Sequence, residues 1–414
     1  MAAVLDLSVT LEKFLHNIQA LNEAAPHWML VAARNWKKSV EDHSEFLEEN
    51  GEEIEDNEDH VKYRLHFRHI RKATRLSRKS DRSQVAFDLL PRTILVSFVS
   101  EYDAFLGKLM SELIRFRPEV LNAKEKNISF ADLIELGSIE AAREELISRE
   151  VESVLRKSHS DQFSWFEKTF AIPLRQGLDS WSDFIELTER RNLFVHCDGV
   201  VSEQYLKVCS RHGLNLKDEV NVGDVLSCDR NYLKKSYETL YEISVKLIQV
   251  LWRKIHPESL EMAEQNLMEV TYELLVEEKY SLAIKLLDFS CDVLKKWNSD
   301  GDRRIHIINR SVAYKFSGNS DKAIKILDSE DWSACGDNFQ ICLCVLRDDF
   351  DGAREVMLRI GRDGVVKEEF YMEWPVFKSF RESEQFDKTY SEVFGYSPHT
   401  TKEIESSQTE VSEE

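Results

Sequence analysis

An arginine, an amide and a histidine fall within the six residues Arg191-Asn192-Leu193-Phe194-Val195-His196. A guanidinium is permanently charged and meets a phosphate with a fork of donors. An imidazole exchanges protons near neutral pH. When an RNA strand is cleaved by its own 2′-hydroxyl, one group takes the hydroxyl proton and another protonates the departing 5′-oxygen. Donors must also meet the charge that builds on the phosphoryl oxygens. The three side chains are a minimal set for that chemistry without a metal. An imidazole, with a reference pKa of about 6.5, suits either proton role, but one imidazole cannot hold both at once.

These residues close a predicted helix. Trp181, Phe184, Ile185, Leu187 and Phe194 set a helical apolar spacing over Trp181–His196, and Asp198-Gly199 follows as a stop signal. At about 100° per residue, Asn192 and His196 share a face, while Arg191 lies about 140° from His196. Leu193 and Phe194 are expected to point inward. Arg191 must therefore reach round the helix edge or pair with the histidine of a second chain, and since one motif supplies one imidazole, a two-fold dimer would explain how two could share a cleft.

Composition frames the rest. A chain of 414 residues suits two or three domains. With 14 glycines and seven prolines it has few helix breakers, which predicts an all-α fold. A net charge of −20 excludes a bulk polyelectrolyte binder, so any nucleic-acid contact must be local and basic. The seven cysteines form no CxxC pair, and Cys342-x-Cys344 is their closest spacing; free thiols in a reducing compartment are expected. The first ten residues show no basic region before an apolar run, and the longest apolar run, Thr93 to Val99, is far shorter than the ~18 residues of a membrane span. The expectation is a cytoplasmic protein with no membrane partner. No cofactor or metal is expected either. Walker, GxGxxG and GxSxG motifs are missing, and His66-x-x-His69 lacks carboxylates at ligand spacing.

Four segments follow along the chain. Residues 1–83 read as an N-terminal helical extension, with Pro26 starting a second short helix and Glu49 to Glu52 forming an exposed turn in the acidic run from Glu41 to Asp59. The sign then reverses. Arg64, Arg68, Arg71, Arg75, Arg78 and Arg82 step by three and four, which predicts a basic stripe along one helix and a candidate RNA-binding edge. The alternative is that the acidic run neutralises the stripe. Residues 84–256 read as a helical domain. It has an amphipathic helix over 83–117 with Pro91 in its first turn or at a kink, and one or two helices over 128–157 capped by Ser129. A helix over 163–174, the Trp181–His196 helix, an irregular stretch over 201–217, a loop over 221–229 and a closing helix over 232–255 complete it. His256-Pro257-Glu258 marks the boundary to residues 257–396, and the polar, acidic segment 397–414 is expected to be disordered.

Beyond the boundary, Ala283, Ala323 and Ala353 each follow a turn-like segment, and Leu287, Leu327 and Met357 lie four residues further on. The small residue allows close helix crossing, so the pattern predicts stacked helix-turn-helix units. The alanines are spaced by 40 and then 30 residues. Over roughly 260–360 the segment resembles tetratricopeptide repeats in degenerate form, without their early Trp-Leu-Gly pattern.

The stretch Arg191 to Gly199 resembles the signature of the HEPN superfamily. Its R-x4-H spacing, the Asn192 after the arginine and the Asp198-Gly199 after the histidine carry the likeness. Ser97 to Leu106 also resembles the family's earlier core helix with its acidic position, so the resemblance covers residues 84–255. It implies a helical bundle and a metal-independent endoribonuclease that dimerises so that two motifs line one cleft, leaving 2′,3′-cyclic phosphate and 5′-hydroxyl ends. It implies His196 as the catalytic histidine, Arg191 as the phosphate contact and Asn192 as the orienting amide. Glu101 or Asp103 would be the accessory acidic residue. RNA is then the expected substrate, and a regulated toxin or phage-defence effector the expected class, with a protein partner at the C-terminal repeats. One family variant carries a tyrosine two residues after the histidine that a nucleotidyltransferase antitoxin modifies. Asp198 stands there in this chain, which argues against that control. The residues alone also allow a non-catalytic interaction module. Arg191 would then salt-bridge Glu101 or Glu189, and His196 would cap its helix, where a cation is favoured.

Overall fold

The computed structural model describes residues 6–57, 60–123, 128–216 and 220–399. The fold is all-α; among the described residues the one sheet is a two-stranded hairpin. The chain divides into two compact units, Met1–Ser259 and Leu260–Glu414. Among the described residues no helix is long and apolar enough to cross a membrane.

The first unit is built on two long helices, α1 (Ser8–Asn50) and α2 (Phe67–Phe116), which pack along each other. Strands β1 (Gly51–Asn57) and β2 (His60–Leu65) join them as an antiparallel hairpin. Phe98, Tyr102, Phe105, Leu106, Leu109 and Leu113 give α2 a buried face in the three-four rhythm of a helix. Phe14 of α1 stacks on Phe105 at 4.8 Å between ring centroids. Four expectations are corrected here. Pro26 does not start a new helix, and Pro91 is not in a first turn; both lie inside continuous helices. Each ring removes one intrahelical donor, but Pro91 is itself buried in the core, so packing holds α2 through the defect. Glu49 to Glu52 is not a free turn, because α1 runs to Asn50 and β1 begins at Gly51. The division at 83/84 also falls within α2, so that point is no break in the chain.

Around this pair lie α3 (Phe130–Leu136), α4 (Ile139–Leu155), α5 (His159–Phe170), α6 (Trp181–His196), α7 (Glu203–Arg211) and α8 (Arg230–Ile255). Local chemistry sets their starts: Ser129, Ser138, Ser158, Ser202 and Asp229 each accept a backbone N–H of the following first turn. From Leu240 to Val245 every residue of α8 is buried, which makes it the central helix of the unit. The stretch expected to be irregular contains α7, whose Tyr205 and Cys209 share one buried face. The expected loop over 221–229 pairs with the chain after α6: Val201 N–H donates to Asp224 O and Leu226 N–H to Gly199 O.

In the second unit, α9 (Leu260–Val276) pairs with α10 (Tyr280–Asp288), α11 (Asp300–Phe316) with α12 (Ser320–Asp328), and α13 (Asp337–Leu346) with α14 (Phe350–Ile360). The three pairs share one turn. Lys279, Asn319 and Asp349 each donate their N–H to the carbonyl five residues back, and the preceding residue has a positive φ: Glu278 at 58°, Gly318 at 90° and Asp348 at 57°. Ala283, Ala323 and Ala353 then lie fully buried one turn into the second helix, as do Leu287, Leu327 and Met357. The unequal spacing has a structural source. Helix α11 is seven residues longer than α13, and the linker before it is three residues longer than the next. Helices α15 (Glu368–Glu373), α16 (Lys378–Arg381) and α17 (Glu384–Phe394), with the single turn Pro375–Phe377, bury Phe377, Phe380, Phe386, Tyr390 and Phe394, and α17 packs on α14 as a cap. Residues 400–414, most of the segment expected to be disordered, lie outside the described residues.

Candidate active site at the end of α6

Helix α6 ends as the sequence predicts, at His196, and the stop has a clear cause. Asp198 and Gly199 both take positive φ, 49° and 81°, and Gly199 N–H closes back onto Leu193 O at 3.0 Å. A side chain at 199 would meet the Phe194 ring at 3.2 Å and Leu226 O at 3.3 Å, so glycine is required there. Arg92 of α2 fastens the turn. Its Nη1 donates to Asp198 O at 3.2 Å and to Asp198 Oδ1 at 3.0 Å, and its guanidinium lies over the Phe194 ring.

Below this turn, three helices bring polar side chains together. Arg191 Nη2 donates to Asp103 Oδ2 at 2.9 Å, and Arg191 Nη1 donates to Asn192 Oδ1 at 3.1 Å. The other Asp103 oxygen, Oδ1, lies 2.9 Å from His159 Nε2 at the start of α5. Asn192 Nδ2 reaches Glu189 Oε1 at 3.5 Å. Burial pushes the Glu189 carboxyl upward, against the opposing pull of the His159 charge and the Asn192 bond. Asp103 is therefore the acidic residue brought to Arg191. Glu101, two residues earlier and about 200° round α2, accepts instead from Asn17 Nδ2 of α1 at 2.8 Å. Neither Glu101 nor Glu189 makes the ion pair to Arg191 that one reading anticipated.

His196 stands apart from this network. Its side chain is exposed and has no hydrogen bond or ion pair among the described residues. The arginine is thus held in place while the histidine is open to a partner. Arg191 itself keeps an opening to solvent, with 22% of its side chain accessible, and its remaining Nη hydrogens meet no acceptor among the described residues.

The neighbouring Arg190 does different work. Glu186, buried in α6, accepts from Arg190 Nε, Tyr205 Oη of α7 and Tyr232 Oη of α8, each at 2.6 Å. Arg190 Nη1 also donates to Ser227 O at 2.9 Å, and its guanidinium lies 4.0 Å from the Tyr232 ring centroid. This knot ties α6 to its neighbours one turn ahead of Arg191.

The predicted basic stripe is corrected at one end. Arg64 lies on β2, not on the helix, and pairs with Glu52 at 3.2 Å. Arg68, Arg71, Arg75, Arg78 and Arg82 are exposed on α2. Arg68 donates to His69, but Arg71, Arg75, Arg78 and Arg82 meet no carboxylate among the described residues. The acidic end of α1 reaches the lysines instead: Asp42 pairs with Lys79, and Phe46 lies under Lys72. Among the described residues no group of three or more His, Cys, Asp or Glu converges as a metal site. Cys342 and Cys344 sit on α13 as free thiols.

Sequence reasoning missed His159, Glu189 in its bond to Asn192, and Arg92. A signal for His159 was present. Ser158 caps α5, and His159, Gln162, Phe163 and Phe166 fall on one buried helical face. A histidine in apolar register implies a buried partner.

No family model, curated protein or solved structure matches the chain.

Proposed function

We propose that the chain is a metal-independent endoribonuclease of the HEPN type. One observation carries the reading: an arginine held by Asp103 and Asn192, about one turn before an exposed histidine with no partner among the described residues. A fixed guanidinium meets developing phosphoryl charge without reorganising. In the proposed mechanism a homodimer supplies two copies of His196, one taking the 2′-hydroxyl proton and the other protonating the 5′-oxygen. Arg71, Arg75, Arg78 and Arg82 of α2, which meet no carboxylate among the described residues, offer the local positive surface that a chain of net charge −20 needs to hold RNA. A regulated toxin or antiviral effector, with a protein partner at the helical pairs of the second unit, is the setting this reading favours.

The test is incubation of the purified protein with RNA in EDTA. Wild type should yield fragments with 5′-hydroxyl ends that a polynucleotide kinase labels directly, and His196→Ala should yield none. Identical RNA from both proteins would reject the proposal.

A further inference from the structure

Resting on the nuclease reading for its role in catalysis, we propose that His159 is a positioning residue that sets Arg191 through the Asp103 carboxylate. His159 cannot touch a substrate, since 9% of its side chain is accessible. Its ring is held from two sides. Tyr102 of α2 lies 6.0 Å away between centroids, and Phe184 of α6 lies 5.7 Å away at a right angle. That packing aims Nε2 at Asp103 Oδ1, 2.9 Å distant. With the other Asp103 oxygen accepting from Arg191, the geometry suits Nε2 as the donor of this bond.

Asp103 is then a bridge with both oxygens engaged, one by His159 and one by Arg191. A carboxylate bonded on one side can rotate about its terminal torsion, which is broad; bonded on both sides it cannot. Asn192 fixes the other edge of the guanidinium. The chain of bonds therefore runs from α5 through α2 to α6, and its last member is the group proposed to meet the phosphate. Removing the first bond frees Asp103 to turn and lets Arg191 drift, and a displacement near 1 Å is worth about 100-fold in rate.

Two substitutions separate positioning from packing. His159→Phe keeps an aromatic ring against Tyr102 and Phe184 but cannot donate. His159→Gln loses the ring but carries an amide donor. A positioning role predicts that kcat/KM for RNA cleavage falls by about 100-fold in His159→Phe and stays near wild type in His159→Gln. The reverse order would show that His159 only packs, and would overturn the inference. A second measurement does not depend on activity. In a 15N-arginine spectrum, the Arg191 guanidinium resonances, assigned with Arg191→Lys, should shift in His159→Phe and recover in His159→Gln. Unchanged resonances in His159→Phe would overturn the inference whatever the cleavage rates. If wild type proves inactive on RNA while the Arg191 resonances follow this order, the nuclease reading falls and the His159–Asp103–Arg191 linkage stands.

Discussion

Replacing Glu186 with alanine tests the packing beneath the candidate site. The carboxylate is buried, and it is the shared acceptor for Arg190, Tyr205 and Tyr232. Removing it strands a guanidinium that is 15% accessible, together with two phenols. Breaking a buried pair by deleting one partner destabilises by about 3–5 kcal/mol. Arg190 keeps the Ser227 carbonyl and the Tyr232 ring face, which places the loss near the lower end, about 3 kcal/mol. For a unit of this size each kcal/mol moves Tm by about 2–4 °C, so the expected fall is about 6–12 °C. Scanning calorimetry of the full chain at pH 7 reads it. The double variant Glu186→Leu, Arg190→Met removes both charges and should recover part of the loss, because an apolar pair replaces the buried ion pair at little cost while the two phenols still lack their acceptor. A fall below about 2 °C in Glu186→Ala, or a double variant worse than the single, would refute the reasoning.

Three further outcomes are expected. Glu189 has its folded pKa raised by burial, so its charge weighs against folding at neutral pH, and the penalty is lost as pH falls through that pKa. Glu189→Gln should therefore raise Tm at pH 7 and lose the advantage in acid, as melts across pH would show; an advantage that grows in acid would contradict this sign. Reversing Arg71, Arg75 and Arg78 to glutamate should weaken RNA binding and flatten its salt dependence while leaving Tm within about 2 °C, since the three arginines have no partners to lose among the described residues; filter binding at several salt concentrations decides it. Burial pushes the Cys209 and Cys228 thiols up to about 12, so brief iodoacetamide treatment at pH 8 should leave both unmodified while the exposed Cys197 reacts, as peptide mass spectrometry would report.

Much of the fold was legible from simple rules. Scarce Gly and Pro pointed to helices, the Trp181–His196 helix has its observed ends, and the three alanines lie buried at equivalent turns. What escaped did so for physical reasons. Proline rules treat the helix as isolated, whereas Pro91 is held inside α2 by its own burial. The β-hairpin was hidden by a competing periodicity: Arg64 and Arg68 suit a helix, but Val61, Tyr63 and Leu65 alternating with Lys62 and Arg64 suit the strand that forms. At the site, the arginine and its amide neighbour were legible from local spacing. Which of Glu101 and Asp103 faces Arg191, and that His159 stands behind it, depends on contacts between residues 88 and 56 positions apart. No local pattern encodes that.

The unbroken course of α2 imposes a length scale. Arg82 closes the arginine row and Asp103 holds Arg191, and the 21 residues between them span at most about 32 Å along one helix. From Arg71 the same measure gives about 48 Å. On the nuclease reading, a strand stacked at about 3.4 Å per base step and touching both the row and the site would cover roughly nine to fourteen steps. Much shorter stacked fragments would reach one or the other. The rod would then sort ligands by extent rather than by base identity, and products cut near the site would lose their second foothold and leave.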